Sequence, residues 1–120
     1  QADRGEGWRT IEAPLDLVSV IQGEINPGES VLIDCLTLWL SNLFHHNRDI
    51  EQETMALCNA LQSSQVQIAL VSNEIGLGLV PETSLGRAFR DAQGRLNQNV
   101  AAVCDQVDFV AAGLPLRLKG

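Results

Sequence analysis

The stretch Val31-Leu32-Ile33-Asp34 (VLID) decides the fold class of this 120-residue chain. Three consecutive apolar residues without polar alternation are typical of a β-strand that is covered on both faces, as strands in parallel sheets are. A second run of this kind, Gln67–Ser72 (QIALVS), follows later in the chain. The two runs therefore predict two buried, parallel strands.

Helical segments are predicted between and around these strands. Pro14 is expected to open a helix over Leu15–Gln22, and Leu36–Phe44 has the apolar breadth of a helix. Asp49 is the expected N-cap of a helix that ends near Ser63, and Ser84 is the expected cap of a long helix. The apolar residues of that long helix recur every three or four positions: Leu85, Ala88, Phe89, Ala92, Leu96, Val100 and Val103.

Three further strands complete the prediction. Trp8–Glu12 alternates loosely, Val107–Ala112 is a third apolar run, and Leu116–Lys119 follows a turn at Gly113–Pro115. Alternation of strands with helices predicts an α/β fold with a mainly parallel sheet. No linker or repeat interrupts it, so residues 1–120 are interpreted as one domain.

Composition excludes several classes of function. A net charge of −7 predicts a surface that repels phosphate backbones, so nucleic acid is not an expected partner. No apolar run approaches the ~20 residues that a membrane span needs. The 3 cysteines are far apart and form no CxxC pair, which argues against zinc and disulfides and favours a reducing, cytoplasmic location.

Two polar sites follow the predicted parallel strands. Asp34 ends the first strand, and Asn73 and Glu74 end the second, so all three are expected at the edge where α/β sheets bind ligands. A carboxylate at a strand end is how many nucleotide enzymes position Mg²⁺, and Thr37 adds a nearby hydroxyl. The alternative is that Asp34 caps the following helix, and the sequence leaves both interpretations open.

The loop after Asn73-Glu74 contains Gly76-Leu77-Gly78. Glycines permit close approach of the backbone to a ligand, although a plain turn also uses them. The pattern is neither a dinucleotide fingerprint nor a phosphate loop, because GxxxxGK[ST] does not occur in these 120 residues.

Arginines near the start of the long helix are candidates for binding phosphate. Arg87 and Arg90 have the guanidinium fork that suits phosphate oxygens. The alternative is a solvated ion-pair ladder of Arg87, Asp91 and Arg95. Gly86 and Gly94 weaken the helix, which suggests close packing against a neighbour or ligand.

Other conspicuous residues receive structural interpretations. His45 and His46 lie at a predicted helix end, where the helix dipole favours them, and are not expected to be catalytic. Trp39 is expected to pack in the core, and the cysteines to behave as small buried hydrophobes.

Several stretches together resemble the bifunctional adenosylcobinamide kinase/adenosylcobinamide-phosphate guanylyltransferase family. The resemblance covers nearly the whole chain, and its order and spacing argue against chance. The stretches that carry it are Trp8–Glu12 (WRTIE), Val31–Thr37 (VLIDCLT), Val71–Pro81 (VSNEIGLGLVP), Leu85–Asp91 (LGRAFRD) and Gly94–Gln98 (GRLNQ).

The resemblance implies an activity and a fold. Members phosphorylate adenosylcobinamide with ATP or GTP, then transfer GMP from GTP through a GMP–histidine intermediate to give adenosylcobinamide-GDP. The implied fold is a three-layer, mainly parallel, RecA-like P-loop sheet with Mg²⁺ as the metal. The implied partners are small molecules, and complete members can be homo-oligomers.

Site residues are carried over only where the motifs match. Those implied to bind the guanine nucleotide are Gln1, Ala2, Asp3, Arg4, Glu12 and Asp34. Either Glu12 or Asp34 is expected to read guanine while the other serves the metal. Weaker candidates for the phosphate or corrinoid side are Asn73, Glu74, Arg87 and Arg90.

Two parts of the family pattern have no counterpart in this sequence. These are the phosphate loop with its strand, and the nucleophilic histidine, which the match places immediately before Gln1. The chain is therefore interpreted as a partial nucleotide-binding domain, incomplete at its N-terminus. In isolation it is predicted to fold poorly and to be inactive. The alternative function is a non-catalytic nucleotide-binding or scaffolding remnant of such an enzyme.

Overall fold

The computed structural model describes residues 8–73 and 83–120. Helices and strands alternate along most of the chain, which confirms the α/β class. The elements are α1 (Leu17–Gly23), β1 (Val31–Asp34), α2 (Leu36–His45), α3 (Ile50–Ser63), β2 (Ile68–Val71), α4 (Ser84–Val103), β3 (Val107–Ala111) and β4 (Leu114–Lys119).

The described strands form two separate two-stranded sheets. β1 and β2 are parallel, with Val31 opposite Ile68 and Asp34 opposite Val71. β3 and β4 form an antiparallel hairpin. The prediction of parallel strands holds for β1 and β2. The described strands do not form the single, mainly parallel sheet of the three-layer fold that the resemblance implied.

The hairpin has a local cause. Its two turn residues, Ala112 and Gly113, have φ values of 53° and 76°. Positive φ at both central positions defines a type I′ turn, whose twist matches that of antiparallel strands. The chain therefore folds back directly after β3, and β4 begins at Leu114, two residues before the predicted start.

The core lies on one face of the parallel pair. Ile33 is buried, and Val31, Ile68 and Leu70 on the same face pack against the helices. The fully buried leucines of the helices are Leu36, Leu40, Leu43, Leu57 and Leu96.

The other face of the pair is open among the described residues. Leu32 is 41% exposed and Val71 44% exposed. The prediction that both faces are covered is therefore wrong for this part of the chain. Successive residues of a strand point to opposite faces, and helices of the described segments cover one of them.

Helix starts follow from their caps. Asp49 caps α3 as predicted, since its Oδ1 accepts a hydrogen bond of 3.1 Å from the Gln52 N–H. α4 is capped by Thr83, one residue before the predicted Ser84, and the Thr83 hydroxyl accepts from the Gly86 N–H at 2.9 Å. α1 begins at Leu17 rather than Leu15.

The segment Trp8–Glu12 does not form the predicted strand. A side-chain contact holds it instead, because Arg9 donates to both carboxylate oxygens of Glu29 at 3.0 and 2.8 Å. Arg9 also donates to the Glu24 carbonyl at 2.6 Å. The segment Trp8–Leu15, called the strap below, is therefore held by this contact to the loop before β1.

The long helix is amphipathic, but its apolar face begins later than predicted. Ala92, Leu96 and Val100 are buried, and Phe89 stacks edge-on against Phe44 of α2 at 5.4 Å between ring centroids. Leu85, in contrast, is 68% exposed. No helix in the described ranges is long and apolar enough to cross a membrane.

Candidate functional site

The carboxyl ends of β1 and β2 meet at one edge of the parallel pair. Asp34 and Val71 are partners in the strand register, and Ser72 and Asn73 follow Val71 directly. The Asn73 N–H donates to the Thr37 hydroxyl at 2.9 Å, which ties the end of β2 to the first turn of α2. The structure thus places Asp34, Thr37 and Asn73 at the same edge.

Glu12 and Asp34 line one cavity of about 870 Å³. Ligand pockets commonly have volumes of about 300–1,000 Å³. Trp8, Leu38 and Asn42 contribute to the same wall. The two carboxylates that the sequence singled out therefore share one concave surface, which is large enough for a nucleotide.

A second cavity lies at the opposite edge of the strands. It has a volume of about 470 Å³ and is lined by α1, the end of α3 and the segments preceding β1 and β2. None of its described lining residues is charged. The cavity with Glu12 and Asp34 runs along β1 to its carboxyl end, where ligands of open α/β sheets bind, and is therefore the better candidate.

Three contacts hold the strap that carries Glu12. Beside the Arg9–Glu29 pair, the Trp39 indole N–H donates to the Leu15 carbonyl and the Asn42 amide to the Pro14 carbonyl, both at 3.2 Å. Trp39 is buried, which confirms its packing role. Glu12 is therefore attached to α2 on one side and to the loop before β1 on the other.

The Glu29 carboxylate is strongly stabilised in its ionised form. The Arg9 guanidinium and the Asn26 backbone N–H, 2.7 Å away, lower the pKa of Glu29 to about 2. The same pair raises the pKa of Arg9. The Arg9–Glu29 ion pair, called the clamp below, therefore has both partners charged at every pH at which the protein is expected to work.

Asp34 is free to serve a ligand rather than the next helix. The N-cap residue of α2 is Cys35, and no side chain caps it. No three metal-binding side chains converge in residues 8–73 and 83–120. Mg²⁺ usually takes one or two protein carboxylates and completes its shell with phosphate oxygens and water. Asp34, which lines the cavity at the end of β1, would supply one such carboxylate to a magnesium ion that arrives with a nucleotide.

Several predicted site residues lie elsewhere or outside the described ranges. Gln1, Ala2, Asp3, Arg4 and Glu74 are outside, as is the glycine loop. Arg87 and Arg90 lie in the first two turns of α4. Arg87 donates to the Ser84 hydroxyl, and Arg90 pairs with Asp91, both at 3.4 Å. Neither arginine lines the cavity of Glu12 and Asp34.

Comparison with known sequences shows the family to which the chain belongs. The family described as cobinamide kinase / cobinamide phosphate guanyltransferase matches residues 1–118. The chain belongs to this family. The match spans both cavity carboxylates, Glu12 and Asp34, and the end of β2.

Three curated relatives of the cobinamide kinase / guanyltransferase family are similar to the chain. The Pseudomonas aeruginosa bifunctional adenosylcobalamin biosynthesis protein CobP is 43% identical over 100% of this chain and 70% of its own length. The CobU proteins of Escherichia coli and Salmonella typhimurium, which carry the same bifunctional description, are 37% and 34% identical. They are matched over 72% and 70% of their lengths.

The sequence pattern did not predict one buried polar cluster, which lies between β2 and α4. Gln93 is fully buried within the apolar face of α4, and its amide donates to the Ser72 hydroxyl and to Asn97 Oδ1 at 2.9 and 3.0 Å. A signal was present, since Gln93 lies between the apolar positions Ala92 and Leu96 and four residues before Asn97. A polar side chain inside the apolar face of a helix is buried, and buried polar groups usually have a hydrogen-bond partner.

Gly94 does not have the close neighbour that its place in a helix suggested. In the part of the chain that the structure describes, a Cβ built on Gly94 would meet no heavy atom within 4 Å apart from its own helix backbone. The residue therefore costs helix stability without allowing a closer approach in this structure. His45 and His46 end α2 as predicted, and a His46 ring nitrogen lies 2.9 Å from the Asn42 carbonyl oxygen.

Proposed function

We propose that this chain provides the guanine-nucleotide site of a bifunctional enzyme of adenosylcobalamin biosynthesis. The enzyme phosphorylates adenosylcobinamide with ATP or GTP, then transfers GMP from GTP to give adenosylcobinamide-GDP and pyrophosphate. The single observation that carries the proposal is that Glu12 and Asp34 line one cavity, which runs along β1 to its carboxyl end. Family membership and the names of the relatives support it.

A carboxylate supplies the chemistry that selects guanine. Its two oxygens accept hydrogen bonds from the N1–H and 2-amino group of the base, and adenine offers neither donor in that arrangement. One of Glu12 and Asp34 reads the base, and the other carboxylate is left for the metal. Bound Mg²⁺ would neutralise charge on the nucleotide phosphates, with Asp34 as the better-placed ligand because it ends a strand.

The remaining predicted residues complete the proposal. Gln1–Arg4 contribute to the nucleotide site, and the nucleophilic histidine precedes Gln1. Asn73, Glu74, Arg87 and Arg90 serve the phosphate or corrinoid side. The substrates are GTP, ATP and adenosylcobinamide, and the complete enzyme acts as a homo-oligomer in the cytoplasm.

Nucleotide selectivity tests the role of the two carboxylates. In the full natural protein, we expect either Glu12→Gln or Asp34→Asn to reduce the preference for GTP over ATP by about ten-fold or more, because one charge-assisted base contact is lost. The other variant should lower the affinity for both nucleotides, and Mg²⁺ should increase the affinity of that variant less than it increases the affinity of the wild type. Calorimetric titration with each nucleotide measures both effects.

Glu51→Gln is the matched control for this titration. Glu51 is an exposed carboxylate on α3 and does not line the cavity. Its removal should leave both affinities unchanged. If neither cavity variant alters the ratio of GTP to ATP affinity, the proposed guanine site is wrong.

Covalent labelling tests the transferase step. Incubation of the full natural protein with GTP labelled at the α-phosphate should give an acid-labile, base-stable protein adduct, as expected for a phosphoramidate. The adduct should persist when His45 and His46 are both replaced by alanine, because both are exposed at the end of α2. Loss of the label in that double variant would assign the nucleophile to α2 and contradict the proposal.

A further inference from the structure

Three polar side chains form a closed triangle of hydrogen bonds beneath the carboxyl edge of β2. The Ser72 hydroxyl donates to Asn97 Oδ1 at 2.6 Å. The Gln93 amide donates to the Ser72 hydroxyl at 2.9 Å and to Asn97 Oδ1 at 3.0 Å. Ser72, directly after β2, is 21 positions from Gln93 and 25 from Asn97, so the triangle connects the end of β2 to the middle of α4.

The triangle continues to a third element through the backbone of Asn73. The Asn97 amide donates to the Asn73 carbonyl at 3.0 Å, and the Asn73 N–H donates to the Thr37 hydroxyl at 2.9 Å. Both backbone polar groups of Asn73 are therefore held, one from α4 and the other from α2. The residue cannot shift without breaking contacts on two sides.

Gln93 is costly at this position if the fold alone is considered. Its side chain is fully buried, and its Oε1 has no hydrogen-bond partner among the parts of the chain that the structure describes. A buried amide oxygen without a donor lowers stability, whereas a leucine would fill the same volume without that cost. The favourable contribution of Gln93 lies in its Nε2, which fixes the orientation of both Ser72 and Asn97.

Thr37, which the triangle reaches through Asn73, is close in the chain to Asp34 at the proposed ligand edge. Asp34 precedes α2 by two residues, and Thr37 lies in the first turn of that helix. A contact that anchors Thr37 to the end of β2 also limits where Asp34 can lie relative to Val71, its partner in the strand register. Pre-ordering a binding edge in this way reduces the entropy lost when a ligand binds.

We propose that Ser72, Gln93 and Asn97 are positioning residues for the nucleotide site: through Asn73 and Thr37 they join the carboxyl ends of β2 and β1 and hold Asp34 in place for the nucleotide. None of the three needs to touch the ligand. This inference rests on the proposed function, because it gives a role in nucleotide affinity to a cluster outside the cavity.

Binding of GTP with Mg²⁺ to the full natural protein, measured by calorimetry well below the melting temperature, tests the inference. Asn97→Leu removes the link to Asn73 and should raise the Kd for GTP about ten-fold, the equivalent of about 1.4 kcal/mol. Ser72→Ala should raise it by roughly three-fold, because Asn97 keeps its bond to Asn73. Ser72→Thr retains the hydroxyl and should restore the wild-type Kd.

Asn99→Leu is the matched control. It is the same substitution on the same helix, but at an exposed position. It should leave the Kd unchanged. If Asn97→Leu does not fold, the comparison of Ser72→Ala with Ser72→Thr decides the question, since both changes are small.

The outcomes separate positioning from simple structural support. A lower melting temperature in Asn97→Leu or Ser72→Ala with an unchanged Kd for GTP would overturn the positioning role. A raised Kd that Ser72→Thr reverses would support it. If the wild-type protein itself does not bind GTP, the proposed function fails first, and the positioning role fails with it.

Discussion

The parallel pair β1–β2 and the hairpin β3–β4 differ in how they are held. β1 and β2 pair across more than thirty residues of chain, and one of their faces is packed under the helices. The hairpin closes through a two-residue turn, and every residue of β4 is exposed. The first depends on the core and carries the proposed site, whereas the second depends on local geometry and a few contacts with α4.

Polar contacts join β4 to α4 and to β3. Lys119 donates to the Ala101 and Ala102 carbonyls at 3.0 and 3.1 Å, near the C-terminus of α4, where a cation is favoured. Arg117 and Asp108 form an ion pair of 2.6 Å across the hairpin. Leu114, Leu116 and Leu118 remain 61% or more exposed. Contacts of this kind stabilise weakly, so the hairpin should be the less stable of the two regions.

Truncation of a core leucine should give the largest contrast between the regions. Leu40 of α2 is fully buried, so Leu40→Ala should lower the free energy of unfolding by about 3 kcal/mol through lost burial and the cavity left behind. Leu116→Ala on the hairpin, 61% exposed, should change it by less than about 0.5 kcal/mol. Urea denaturation of the full natural protein measures both. Equal losses would show that the hairpin is as much a part of the core as α2 is.

Two glycine substitutions should change the free energy of unfolding by smaller amounts, one lowering it and the other raising it. Gly113 has a φ of 76° in the turn of the hairpin, so Gly113→Ala should cost about 1 kcal/mol. Gly94 is inside α4 with open space around its Cα, so Gly94→Ala should gain about 0.5–1 kcal/mol. Thermal melts compare the two. Hydrogen exchange should locate the loss from Gly113→Ala in β3 and β4, and a uniform loss across the chain would argue against an independent hairpin.

The sequence predicted best what local chemistry determines. Asp49 and the apolar spacing after it are enough to define α3, because a cap and a helical stripe involve only neighbours. VLID and QIALVS predicted β1 and β2 as strands of a parallel sheet, since unbroken apolar runs are typical of such strands. The placement of Glu12 and Asp34 on one cavity followed from the resemblance and from the rule that ligands bind at the carboxyl edge.

What the sequence did not predict depends on contacts between distant residues. The Arg9–Glu29 clamp spans 20 residues, and it replaces the expected strand at Trp8–Glu12. The Ser72–Gln93–Asn97 triangle spans up to 25 residues. The open face of β1 and β2 depends on which segments cover it, and alternation within a strand cannot reveal that.

The smallest effect concerns the Arg9–Glu29 clamp, which holds the strap to the loop before β1. Glu29 has a folded-state pKa of about 2, below its ordinary value of 4.5. A depressed folded pKa contributes stability that is fully present above pH 4.5 and is lost as the pH falls towards 2. The Arg9 and Glu29 side chains are 47% and 34% exposed, so solvent screens the pair and its contribution to overall stability should be slight even though the pKa shift is large.

Carboxyl NMR of the full natural protein should show Glu29 titrating near pH 2, well below an unpaired glutamate, and Arg9→Gln should return it towards 4.5. Glu29→Gln should flatten the acid dependence of stability between those values, whereas removal of the hairpin pair by Asp108→Asn should leave the titration of Glu29 unchanged. A Glu29 that titrates normally in the wild type would mean that the clamp is open in solution. The strap carrying Glu12 would then be held only by its contacts with Trp39 and Asn42 of α2.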